Sequence, residues 1–100
     1  MVSSEDPDEE IKPIQFSLPE RDLILDLYSL DGDMEKRFRL ATLSGKGITV
    51  SMNAYDLDEL HGTIAAVANH EKDRKLQRKL DAICRRIETI LDKEFPQEPE

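Results

Sequence analysis

The sequence predicts an α+β fold, in which a β-hairpin packs on a long antiparallel helix pair with a short N-terminal helix before it. Three patterns lead there. Leu76, Leu80, Ile83, Ile87 and Ile90 recur at spacings of four, three, four and three, which makes an apolar seam along one helix face. Leu57, Leu60, Ile64 and Val67 form a second stripe of the same kind. Between residues 37 and 52, apolar and polar residues alternate in two runs on either side of Ser44-Gly45-Lys46-Gly47.

Residues 1–12 are acidic with almost nothing apolar, and are expected to form a disordered arm. A single domain is expected over 13–95, followed by a disordered Pro-rich tail over 96–100. Ser17 suits a helix N-cap, Pro19 the first turn and Glu20 the capping-box position. Leu23, Ile24, Leu27 and Leu30 then share one helical face. Residues 23–28 also partly alternate, so a strand is the competing reading over 18–30. Asp31-Gly32-Asp33 is expected to close this element as a turn.

Phe38, Leu40 and Thr42 alternate with Arg37, Arg39 and Ala41. Ile48, Val50 and Met52 alternate with Thr49 and Ser51. A lone hairpin is marginal in water, so the apolar face of this one needs helices against it. The next helix is expected over 54–69, with Asn53 as N-cap and Asp56 three residues on. Its reverse face carries Gly62, Ala65, Ala66 and Ala68, with no charged residue between Glu59 and Glu71. That predicts a central helix packed on two sides. Asn69-His70 is the expected break, and the last helix then runs to Glu94. At 1.5 Å per residue the two helices span about 24 and 36 Å, so the longer overhangs by about two turns. Ile90, Leu91 and Phe95 lie in that overhang. They are expected to cover the N-terminal helix, cover the hairpin, or meet another chain.

One hundred residues, 38% of them hydrophobic, supply one modest core that would gain from a partner or a second copy. The net charge of −8 opposes nonspecific binding to nucleic acid, but it is unevenly spread. Residues 5–10 hold five acids and no base, whereas residues 71–93 hold eight bases against five acids. The single cysteine, Cys84, precludes an intramolecular disulfide and fits a reducing compartment. The first residues have no apolar run of a secretory signal, and nothing approaches the roughly 18–20 apolar residues of a membrane span. A soluble, cytoplasmic protein is the expectation.

No motif points to catalysis, a cofactor or a metal. Gly45-Lys46-Gly47 lacks the earlier glycine and the Ser or Thr of a phosphate loop. A calcium loop centred on Gly32 would need ligands at Leu27 and Phe38, which have none to offer. His70-Glu71 has no second histidine in zinc-protease register. Cys84 sits beside the apolar seam as a small hydrophobe, and nothing in the sequence orients His61 to activate it.

One surface stands out. Lys72, Lys75, Lys79, Arg86 and Lys93 fall on one line of the last helix with no acid between them. The opposite flank carries Arg74, Arg78, Asp81, Arg85, Glu88 and Asp92, with Asp81 placed to pair with Arg85. Such a line is either a solvated face or a contact for an acidic protein surface or nucleic acid. The acidic stretch 5–10 offers an intramolecular partner for it. The candidate partner-binding residues are therefore Lys72, Lys75, Lys79, Arg86, Ile90, Leu91 and Phe95. The expected function is a non-enzymatic protein–protein interaction or assembly module whose partner is a second copy, in a homodimer formed through apolar helix surfaces, or an unidentified protein.

Residues 48–91 also resemble a ribbon-helix-helix repressor. Ile48-Thr49-Val50-Ser51-Met52 is similar to its strand, 56–69 to its first helix and 75–91 to its second. The resemblance implies a dimer whose outward strand side chains, here Thr49 and Ser51, read bases in the major groove. A DNA-binding regulator of this type is the alternative function.

Overall fold

The computed structural model describes residues 10–27 and 30–95. The elements run β1 (Lys12–Ser17), α1 (Leu18–Leu25), α2 (Gly32–Arg39), β2 (Thr42–Ser44), β3 (Gly47–Met52), α3 (Ala54–His70) and α4 (Arg74–Glu94). The architecture is α+β, as the sequence predicts. Residues 1–9 of the expected arm and the expected tail over 96–100 lie outside the described residues.

The three strands form one antiparallel sheet in the order β1-β3-β2. β1 pairs along all of β3, from Lys12 opposite Met52 to Ser17 opposite Gly47. Ile14 and Phe16 on β1 and Ile48, Val50 and Met52 on β3 turn inward, following the period of two. Gly45 has φ 61, the one positive φ among the described residues, and with Lys46 makes the two-residue hairpin turn between β2 and β3. Positive φ at the first central position alone matches a type II′ turn, which favours Gly there. Gly47 is needed for space, because a Cβ on it would overlap the carbonyl oxygen of Phe16.

β1 corrects the expected boundary of the arm, since Lys12 already belongs to the sheet. Ser17 ends β1 and immediately caps α1. Its backbone N–H donates to Glu20 Oε1 at 2.8 Å, and Glu20 N–H donates to Ser17 Oγ at 3.2 Å. The capping box thus decides for helix over strand after Ser17.

The second correction concerns 31–39. Asp31 is no closing turn: its carboxylate accepts from Asp33 N–H at 3.0 Å and caps α2. Acids Asp33 and Glu35 occupy the first turn of α2, and Lys36, Arg37 and Arg39 the last, which suits the helix dipole. Two i,i+4 pairs run along it, Arg37–Asp33 at 3.1 Å and Arg39–Glu35 at 2.8 Å. Met34 and Phe38, four apart, are its buried face. Arg37, Phe38 and Arg39 are therefore helical, and the strand expected from residue 37 shrinks to Thr42–Ser44.

α3 and α4 pack together as the expected antiparallel pair. Leu57, Leu60, Ile64, Val67 and Ala68 of α3 meet Leu80, Ile83, Cys84 and Ile87 of α4 in one core with the sheet. Asn53 caps α3 as expected, accepting from Asp56 N–H at 2.7 Å. Asp56 also pairs with Arg37 at 2.6 Å, joining α2 to the start of α3. That bond, ahead of all other influences, raises the guanidinium pKa of Arg37. Asp73 caps α4, so Lys72 lies in the connection and not on the helix.

Two packing expectations change. The small back of α3 is only half covered among the described residues: Ala68 is buried and Ala65 half-buried, whereas Gly62 and Ala66 are exposed. The overhang of α4, in contrast, is covered. Seventeen and twenty-one residues make helices of about 26 and 32 Å, and the surplus runs beside β1. Lys12 Nζ donates to the Glu94 carbonyl at 2.6 Å and stands 5.4 Å from the Phe95 ring centroid.

Candidate interaction surface

Each candidate residue takes its environment from its level on α4. At the C-terminal end, Phe95 is buried, and Ile90 and Leu91 are half-buried against the core. These three complete the fold and offer little free apolar surface, so of the expected alternatives the overhang covers its own chain, beside β1.

Arg86 is also taken up internally. Its guanidinium donates to the Gln15 carbonyl on β1, lies 3.2 Å from Glu20 Oε1, and stands 5.4 Å from the Phe16 ring centroid. Its Nη1 is buried and has the carboxylate in ion-pair range without an aligned hydrogen bond. Because Glu20 Oε1 also caps the start of α1, one carboxylate ties β1, α1 and α4 together. Arg86 is a strut of the fold, and the line of cations is interrupted there.

Lys72, Lys75 and Lys79 are exposed and make no ion pair among the described residues. They lie at the tip of the α3–α4 hairpin. Arg74 and Arg78, which the sequence reading put on the other flank, are exposed at the same tip. A helix is only about 10–12 Å across with its side chains, so both flanks present charge to the same volume. The nearby acids serve the backbone: Asp73 Oδ1 accepts from Lys75 N–H at 2.9 Å, and Glu71 Oε2 from Asp73 N–H at 3.0 Å. Lys93 is exposed at the far end of α4. Asp81 and Arg85 do not pair among the described residues.

A second surface had no signal in the sequence. Leu40 is 78% exposed and Leu43 69% exposed, beside or on the edge strand β2. Leu43 stands opposite Ile48 in the register, yet Ile48 is buried and Leu43 is not. β2 extends the sheet beyond the layer that the helices cover. Ser44 and Gly47 flank the two-residue turn and bond each other, so the backbone N–H and C=O of Leu43 point outward. Alternation had placed Leu40 on the inner face with Phe38, which failed once Phe38 proved helical.

Cys84 and His61 face each other across α3 and α4, but not as a catalytic pair. Cys84 Sγ is 3.9 Å from the His61 carbonyl oxygen, while the imidazole Nε2 is 2.8 Å from Glu88 Oε2. Burial first, then the charges of Asp81 and Glu88, push the thiol pKa up. Cys84 should therefore react slowly with a thiol reagent in the folded protein and much faster in denaturant. Equal rates in both conditions would show an open thiol.

Among the described residues no group of three or more His, Cys, Asp or Glu is arranged to hold a metal ion, and no helix is long and apolar enough to cross a membrane. β3 is the central strand, with both edges occupied inside its own chain. A ribbon shared between two chains needs one of those edges, and both are taken here by β1 and β2. No family model matches the chain, and no curated protein and no solved structure matches it.

Proposed function

We propose that this protein is a non-enzymatic interaction or assembly module of the cytoplasm that associates with itself as a homodimer. The observation that supports this reading is the open edge at β2, where Leu40 and Leu43 are exposed and the Leu43 backbone faces outward. An open edge with apolar side chains is a template for another strand. Two β2 strands meeting antiparallel about a two-fold axis use the same patch on both chains. Pairing extends the sheet across the dimer and takes four leucines out of water. Each fully buried leucine contributes about 1.5–3 kcal/mol relative to exposure. The apolar contact thus moves from the helix surfaces expected from sequence to the sheet edge.

The test is the mass of a chain carrying Leu40→Asp and Leu43→Asp, measured by light scattering. Both side chains are exposed, so circular dichroism should match that of the unmodified protein. The mass should fall from that of two chains to that of one. A variant that still sediments as a dimer would remove β2 from the interface.

A further inference from the structure

We infer that Arg86 seals the β1 edge of the sheet, and that this seal makes self-association stop at two chains. The inference rests on pairing at the β2 edge.

The sheet has two edges, β1 and β2. The hairpin turn fixes which backbone groups face outward on each. Ser44 and Gly47 bond each other across the turn, so Gly47, Thr49 and Ser51 direct their backbone groups to the β2 side. Their partners on β1 are Ser17, Gln15 and Pro13. These three therefore direct their own backbone groups away from β3, to the outer side of β1.

Each of the three lacks a group that a new strand would need. Pro13 has no N–H to donate. The Gln15 carbonyl accepts from the Arg86 guanidinium. The Ser17 N–H donates to Glu20 Oε1 at 2.8 Å, and that oxygen lies 3.2 Å from Arg86 Nη1. Arg86 thus holds one position directly and supports a second through Glu20. Its guanidinium also stands over the Phe16 ring, which keeps the side chain along β1. On β2, in contrast, Thr42-Leu43-Ser44 contains no proline, and the Leu43 backbone faces outward.

The difference between the edges sets the size of the assembly. A chain with one open edge pairs with the same edge of a second copy about a two-fold axis, and association closes at two. With both edges open, β1 of one chain would pair with β2 of the next. That head-to-tail contact leaves an edge free after every addition and runs on.

The test is the mass of full-length variants by light scattering at micromolar concentrations, with circular dichroism checking the fold. Arg86→Met keeps an unbranched apolar stem on the Phe16 ring and removes the donors. Its mass should exceed that of two chains and rise with concentration. A mass equal to that of the unmodified protein at every concentration would overturn the inference. Leu80→Ala is the control for lost stability, since it weakens the core and leaves β1 sealed. Growth shared by both variants would also overturn the inference.

Gln15→Pro closes the same edge by other means. The Gln15 N–H faces outward, so proline there breaks no bond to β3. Added to Arg86→Met, it should return the mass to that of the unmodified protein. Continued growth would show a polymer that does not use β1, and would overturn the inference. Alone in the unmodified chain, Gln15→Pro should leave the mass unchanged. A lowered mass would put β1 in the native contact and overturn the seal, and this result does not depend on the folding of Arg86→Met.

Two comparisons separate the seal from the β2 reading. A chain with Leu40→Asp, Leu43→Asp and Arg86→Met has only β1 open and should stop at two. Growth past two there would overturn the head-to-tail contact. An unmodified protein of single-chain mass would reject the β2 dimer by itself. The seal is then supported by association that Arg86→Met gains and Gln15→Pro removes, and is overturned without it.

Discussion

Phe16→Ala is expected to destabilise the protein by about 3–5 kcal/mol, enough to unfold a large fraction of a domain this small. Phe16 is 1% exposed and sits where four elements converge. It projects inward from β1 opposite Ile48, and its ring centroid is 5.1 Å from that of Phe38 on α2. The tilted ring pair adds to the area buried, and the Arg86 guanidinium covers another part of the ring. Truncation removes the side chain that joins the strand to α2 and α4, and the backbone on both sides is fixed by pairing with β3. The cavity has little means of collapse. Chemical denaturation with a fitted slope measures the change. A loss under about 1 kcal/mol would mean that β1 does not pack on the helices.

Leu80→Ala is expected to cost about 2–5 kcal/mol. Leu80 is 1% exposed, in the middle of the seam where α4 faces α3. Helix formation alone would not register the change, because Ala is the better helix former. The whole effect therefore reports packing between the helices. Far-ultraviolet dichroism followed through a urea titration separates the two contributions. An unchanged midpoint would show that the seam is not an internal contact.

The helix pair was legible because its information is local. Ile64 and Val67, or Leu80, Ile83 and Ile87, mark one face by spacing alone, and Asn53 with Asp56 marks the start of α3 within four residues. The same holds for Ser17 and Glu20. β1 was hidden because it shows only Ile14 and Phe16 inward, and Phe16 finds its partner Ile48 more than thirty residues away. α2 was hidden by ambiguity. Arg37-Phe38-Arg39-Leu40 alternates like a strand, while Met34 and Phe38 are also four apart, and Asp31 as a cap decided between them. Of the candidate site, exposure of Lys75 and Lys79 followed from the helix face. The capture of Arg86 did not, since Gln15 and Glu20 come from the other end of the chain.

Self-association is the central claim, and the mass of the unmodified protein as a function of concentration tests it most directly. Light scattering is read across about two decades around micromolar, at about 0.1 M and about 1 M salt. The expected result is twice the single-chain mass of 11.5 kDa at both salts. The edge contact is apolar and survives screening. A mass of 11.5 kDa at every concentration and both salts would contradict the account.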